Sequence, residues 1–298
     1  MSRVLVTGAS GFIGANVIDC LLAGDNEVHA VARHHGAQRA GVTWHEADLL
    51  GPGGAEQVAA AAGAERLLHL AWCAQPGFWS APENELWADA SLRLLRAFAE
   101  AGGRRATVAG TCAEYEWGNE PLREDLTPLL PATLYGVSKH QTHIAATELC
   151  KELGVALSWG RVFFLYGPRE GPERLVSGVA RALLSGEQVP TTEGHQRRDF
   201  MHVRDVADAL VALLASPVGG AVNIASGDAP EVREIIRLIA AETGGIERVR
   251  FGALPLRDGE PELIVGDSRR LRDEVGYRPA IALEQGIAET VSWWRSHR

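Results

Sequence analysis

Three glycines near the start, with the residues on either side of them, restrict this chain more than any other feature. Val4, Leu5 and Val6 form an apolar run of the kind found in a parallel strand buried on both faces. Gly8, Gly11 and Gly14 follow at three-residue spacing, and Ala15 to Leu22 then reads as an amphipathic helix. Strand, glycine turn and helix together aim backbone N–H groups and the positive end of a helix at one point, which suits a pyrophosphate. Gly8 is expected to allow the tight turn, Gly11 the close approach of backbone to ligand, and Gly14 the packing of helix on strand. Gly8, Ser10, Gly11, Phe12, Ile13 and Gly14 are the candidate cofactor contacts of this turn.

Glu27 to Ala32 (EVHAVA) reads as a second strand, whose end should reach the adenosine ribose. Counting from Gly14, the place where an Asp or Glu would bind a free 2′-hydroxyl holds Ala32, and Arg33, His34 and His35 follow. A carboxylate there repels a 2′-phosphate, whereas a guanidinium binds it with paired hydrogen bonds. Arg33 therefore favours NADP(H), with NAD(H) as the alternative.

Chemistry enters at Tyr135-Gly136-Val137-Ser138-Lys139, which opens a long helix expected over Tyr135 to Leu153. Residues four apart share a helix face, so the phenol and the ammonium are neighbours. A phenol titrates near 10, too high for efficient proton exchange at neutral pH, and a nearby cation lowers that value. Tyr135 is thus the candidate general acid or base, and Lys139 its partner and a ligand of the nicotinamide ribose.

Composition excludes several classes. A net charge of −9 over 298 residues is the wrong sign for a general nucleic-acid binder. Any anionic ligand must be held by local arginines. No apolar run approaches the roughly 18 residues of a membrane helix, and no signal peptide is expected ahead of a strand that begins at residue 4. Cys20, Cys73, Cys112 and Cys150 lie apart, without metal or C-x-x-C spacing, and are expected as buried free thiols in a reducing cytoplasm. No metal site is expected.

The Thr-Gly-x-x-Gly-x-x-Gly turn followed about 120 residues later by Tyr-x-x-x-Lys resembles the short-chain dehydrogenase/reductase superfamily. TGASGFIG is similar to its extended, sugar-nucleotide-modifying branch, the epimerase/dehydratase type. The resemblance implies further roles. Asp48-Leu49 after a third strand (Val42 to Glu46) would contact the adenine, and Ala71, closing a fourth strand from Arg66, would pass the cofactor. His69 in that strand is expected as a packed core histidine. Thr111, after a fifth strand (Arg105 to Ala109), would orient the substrate oxygen as the first residue of the family's S/T-x-x-x-Tyr element, here ending at Tyr115. Arg198, in a stretch resembling R-D-F/Y-x-x-V-x-D-x-A, would pair with a substrate diphosphate, and Arg257 would lie near the substrate. Asp205 is expected at the start of the following helix. The helices Leu86 to Ala101 and Tyr135 to Leu153 are the family's pairing surface, which implies a homodimer.

Departures narrow the reaction. Dehydratases of this type carry an acid one or two places after the threonine, where Cys112 and Ala113 stand, and Glu114 is one place too late. The family's substrate-touching Asn is replaced by Phe164, and its Asn in the first turns of the 86–101 helix by Trp87, with Asn84 one turn earlier. The aromatic segment 72–79 is expected either over the nicotinamide end of the site or packed on the surface. Alternating strands and helices imply an α/β fold, a doubly wound parallel Rossmann sheet with a smaller C-terminal substrate lobe. Residues 1–167 would form the dinucleotide-binding core, 168–200 part of the lobe, 201–245 a return to the core, and 246–298 the rest of the lobe. The expected activity is NADPH-dependent reduction of a keto group on a nucleotide-linked deoxysugar. The alternatives are an epimerase with retained NAD and a ketoreductase of a non-sugar carbonyl. A catalytically idle dinucleotide sensor is the reading from a different class.

Overall fold

The computed structural model describes residues 2–34 and 39–297. Strand β1 (Arg3–Thr7) is central and pairs in parallel with β2 (Glu27–Ala32) on one side and β4 (Arg66–His69) on the other. Beyond β2 lies β3 (Val42–Glu46). Beyond β4 lie β5 (Arg105–Thr111), β6 (Ala156–Val162) and the edge strand Gly220–Ile224. All seven strands run parallel, as in a Rossmann fold.

Alternate residues of β1 face opposite sides, and both sides are covered. Val4 and Val6 pack with Val17, Ile18 and Leu21 of α1 (Phe12–Ala23) and Leu210 and Leu213 of α6 (Val203–Ala215). Leu5 packs with Val58 of α2 (Gly54–Ala62), Leu94 and Phe98 of α3 (Glu83–Glu100) and Ala146 of α4 (Leu134–Leu153). This double burial is why the strands read as continuous apolar runs.

The chain moves outward from β1 to β2 and β3, then crosses back to β4 on the other side. That reversal opens a crevice beyond the carboxyl ends of β1 and β4, where ligands of such sheets bind. Element limits shift by a few residues from expectation. Helix α1 starts at Phe12, ahead of Ala15, because extended Gly11 serves as its N-cap. Strand β4 stops at His69, although the Leu70 N–H still donates to the Thr7 carbonyl at 3.2 Å. His69 is the core histidine anticipated, held between the Thr7 hydroxyl at 2.6 Å and the Ser91 hydroxyl at 2.8 Å. Burial, helped by the charge of Lys139, pushes it down to about 3.

A smaller lobe is built from α5 (Leu175–Leu184), α7 (Val232–Thr243) and α8 (Leu283–Ser296), joined through Val176, Val179, Ile235, Ile239, Ile287 and Val291. The expected return to the core is made by α6 and the edge strand Gly220–Ile224, whereas 232–243 joins the lobe. Helix α7 carries its apolar residues at helical spacing on one face, and that face closes on α5 and α8, away from the sheet. Two of the four cysteines, Cys112 and Cys150, are buried. Cys20 and Cys73 are only partly so, and all four are free thiols. No helix among the described residues is long and apolar enough to cross a membrane.

Candidate active site

The glycine turn sits at the crevice. Gly8 adopts a φ of +67°, and a Cβ there would lie 2.8 Å from the Ala71 nitrogen. Gly8 is thereby held against the end of β4, which places Ala71 beside the turn as expected. A Cβ on Gly14 would run into the Gly8 carbonyl and lie 2.7 Å from the Ala9 Cα, so α1 can approach β1 only with glycine there. No side chain caps the N-terminus of α1, and Ser10 and Gly11 are exposed. The backbone N–H groups of its first turn remain for a ligand, and at Gly8 and Gly14 a Cβ would strike neighbouring backbone and break the turn that presents them. The residues present therefore fit the pyrophosphate of a dinucleotide.

Arg33 is exposed directly after β2, at the place read for a 2′-phosphate, while His35 lies outside the described residues. Asp48 is exposed, one carboxylate oxygen accepting from the Leu50 N–H at 3.0 Å. Leu49 is different from expectation. Its side chain is buried in the core beneath α2 and α3, which leaves only its backbone for any adenine contact.

Thr111, Tyr135 and Lys139 meet at the carboxyl end of β5. Thr133 caps α4, its hydroxyl accepting from the Gly136 N–H at 3.1 Å. Gly136 lets the helix lie against the 111–114 turn, where a Cβ would strike the Ala113 carbonyl. This close approach brings the Tyr135 phenol within hydrogen-bonding reach of the Thr111 hydroxyl. Thr111 also caps its own turn, accepting from the Ala113 N–H at 3.2 Å, as the structural reading of this residue has it.

The electrostatics differ from the simple Tyr–Lys pairing expected. Burial pushes the Tyr135 phenol above its ordinary value, and the Thr111 contact only partly offsets it. Lys139 is buried, and its ammonium donates to the Ala109 carbonyl at 2.7 Å. Burial pushes it down to about 7 against the opposing pull of Glu114. Burial is thus the largest influence on the Tyr135 phenol, and the cation that acts to lower it is Arg174.

The acids around this centre are committed elsewhere. Glu114 is fully buried and accepts from the Thr111 N–H at 2.8 Å, the Trp159 indole at 2.9 Å and the Arg161 guanidinium at 2.8 Å. Arg161 also donates to the Tyr115 hydroxyl, which donates to Asn223. Glu114 is therefore committed to β5 and β6 at Thr111, Trp159 and Arg161, not free at the acid position. Asp205 lies in the first turn of α6, as expected, while the cap itself is His202. Its carboxylate accepts from the Tyr277 hydroxyl at 2.8 Å and the Ala280 and Ile281 N–H groups, which ties α6 to the 277–281 segment.

The aromatic segment packs onto Tyr135 and Lys139. The Phe78 ring meets the Tyr135 ring edge-on at 4.9 Å, and Trp79 does so at 5.7 Å. Trp117 follows at 6.4 Å from Trp79. Phe164 packs near Trp117 and Cys112, and lies 5.5 Å from Phe200. Two further residues join this wall. Asn84, one turn before the place of the family's helix Asn, ties the segment together, and the Arg174 guanidinium lies 5.2 Å from the Phe78 ring and favours the phenolate of Tyr135. Arg174 stands in no recognisable motif, so no local signal could have found it.

Arg198 is buried and already paired. Its guanidinium donates to Glu260 at 2.5 Å and to the Pro261 carbonyl at 2.8 Å. Arg257, three residues from Glu260, is exposed.

Relatives share this frame. The UDP-glucose 4-epimerase of Corynebacterium glutamicum is 27% identical over 301 aligned residues, covering 93% of this chain and 91% of that protein. The UDP-glucose 4-epimerase of Thermus thermophilus, solved with NAD, matches with a TM-score of 0.83 at 27% identity, over 98% of this chain and 99% of its own. The UDP-N-acetylglucosamine 4-epimerase of Methanobrevibacter ruminantium, solved with UDP-N-acetylmuramic acid, gives a TM-score of 0.90 at 25% identity, over 100% of this chain and 99% of its own. The model of the NAD dependent epimerase/dehydratase family matches residues 4–225, from the glycine turn through Thr111, Tyr135 and Lys139 to the edge strand, and the chain belongs to that family.

Proposed function

We propose that this protein reduces a keto group on a nucleotide-linked deoxysugar with NADPH. The observation that carries the reading is the convergence of Thr111, Tyr135 and Lys139 beside the glycine turn. A reduced nicotinamide dinucleotide bound in the crevice would supply hydride to the carbonyl carbon. Tyr135 then donates its proton to the carbonyl oxygen as the C=O π bond opens, and the product is the alcohol. The Thr111 hydroxyl hydrogen-bonds the same oxygen and stabilises the charge that builds there. Lys139 binds the ribose hydroxyls. The turn residues Gly8 to Gly14, with Ala71, Asp48 and the backbone of Leu49, hold the rest of the cofactor, and Arg33 binds its 2′-phosphate.

Elimination of water is disfavoured by the commitment of Glu114 to Arg161, with Cys112 and Ala113 in the acid positions. Arg257 and Arg198 are assigned to the substrate diphosphate, Arg198 after release from Glu260. A homodimer through α3 and α4 would cover Leu86 and Ile144, both large apolar residues left exposed on these helices.

Epimerisation with retained NAD is the second reading, favoured by the near full-length likeness to 4-epimerases. The test is a stopped assay on keto-sugar nucleotides and aromatic ketones with NADPH. Stoichiometric loss of NADPH with a keto-sugar nucleotide supports the proposal. Sugar isomers formed without NADPH loss would move the assignment to an epimerase. Turnover on aromatic ketones alone would remove the nucleotide sugar and leave Tyr135 in its role.

A further inference from the structure

We infer that Asn84 is a positioning residue that acts on Lys139 through the indole of Trp72. The inference rests on the proposed role of Lys139. Asn84 is fully buried in the first turn of α3, and its amide is almost completely used. Its oxygen accepts from the Trp72 indole N–H at 2.7 Å. Its nitrogen donates to the Phe78 carbonyl at 2.7 Å and the Ala81 carbonyl at 2.8 Å. One side chain therefore fixes both ends of the aromatic segment. Trp72 is steadied further by Trp87, with ring centres 6.4 Å apart.

Held this way, the Trp72 ring lies with its centre 3.8 Å from the Lys139 Nζ. The negative face of an indole attracts an ammonium, most strongly where water is excluded. Lys139 is thus gripped from two sides, by this ring and by the Ala109 carbonyl. An ammonium has three N–H donors, and one is spent on Ala109. The grip has a chemical use. A buried lysine tends to lose its proton, and a neutral amine neither favours phenolate nor donates as strongly to ribose hydroxyls. The ring opposes that loss. The other titratable groups facing Lys139 are Glu114, which holds the proton on, His69, whose interaction with Lys139 is repulsive, and Tyr135 one turn earlier on its own helix.

The chain has only two lysines, Lys139 and Lys151, and Lys151 is exposed at the end of α4. Labelling lysine side chains with carbon-13 therefore gives two resonances, one of them an internal reference. Their pH titration in the purified full chain reads Lys139 directly, without any cofactor. In the parent, the Lys139 midpoint is expected at about 7. Trp72→Leu should lower it by about half a unit to one unit. Trp72→Phe keeps a ring but loses the bond to Asn84, and should fall between the two. Asn84→Ala should match Trp72→Phe. A Lys139 midpoint unmoved by Trp72→Leu overturns the inference, whatever happens to the melting temperature. A parent-like midpoint in Trp72→Phe overturns the part played by Asn84, even if Asn84→Ala does not fold. Titration with NADPH and NADH forms the separate arm. Trp72→Leu should weaken both severalfold, whereas a parent chain that binds neither removes the proposed function and leaves the lysine titration to decide the positioning.

Discussion

Around Gly8, Gly11 and Gly14 the site is made of backbone, while around Arg198 it is made of the far ends of long side chains. In the first region each atom is placed by steric exclusion. A φ of +67° at Gly8 and the absence of Cβ at Gly14 leave one arrangement for strand, turn and helix. In the second region the guanidinium can reach several acceptors, and the fold brings Glu260 within 2.5 Å of it. The contrast teaches where a motif carries a contact and where it carries only a residue type. A glycine motif specifies geometry. An arginine motif specifies charge, and its partner is decided elsewhere.

The hardest test of that contrast is Gly14→Val. The added carbons meet backbone of Gly8 and Ala9, which cannot yield as a side chain would. Overpacking of this kind costs about 3 kcal/mol or more, and dinucleotide affinity should fall by more than about 10²-fold. Denaturant unfolding and cofactor titration measure the two. Binding within tenfold of the parent would mean that the turn is far softer than its geometry implies.

Tyr135→Phe comes next, at the boundary between the regions. It removes one oxygen and its proton and keeps the ring against Phe78 and Trp79. Turnover should drop by roughly 10²-fold or more with little change in cofactor affinity. Near-parent turnover would show that another group supplies the proton.

Glu260→Ala sharpens the side-chain half. Freed of its carboxylate, Arg198 should bind UDP or dTDP about tenfold more tightly, or about 1.4 kcal/mol. Calorimetry would report it. An unchanged affinity with a lowered melting temperature would make Arg198 a structural residue of the small lobe.

An effect of similar size is expected at Arg33, exposed at the end of β2. The parent should prefer NADPH to NADH by at least about tenfold, roughly 1.4 kcal/mol, and Arg33→Ala should erase most of the difference. Equal affinities in the parent would remove the 2′-phosphate contact.

What was legible in the sequence follows the same division. The parallel sheet, the glycine turn and the Tyr135–Lys139 pair are encoded by neighbours: apolar runs, three-residue glycine spacing and a one-turn offset on a helix. Local backbone geometry settles each, so the fold and the candidate site could be read before any contact was known. The fate of the long or buried polar side chains could not. Glu114 finds Arg161, 47 residues away, Asp205 finds Tyr277, 72 residues away, and Arg198 finds Glu260 across 62 residues. Asn84 and Trp72 meet at Lys139 only because α3 and α4 pack side by side on one face of the sheet. A backbone conformation has few choices and shows them locally. A buried charge or amide must find a partner to offset its lost hydration, and which partner is in reach is known only when the chain has folded.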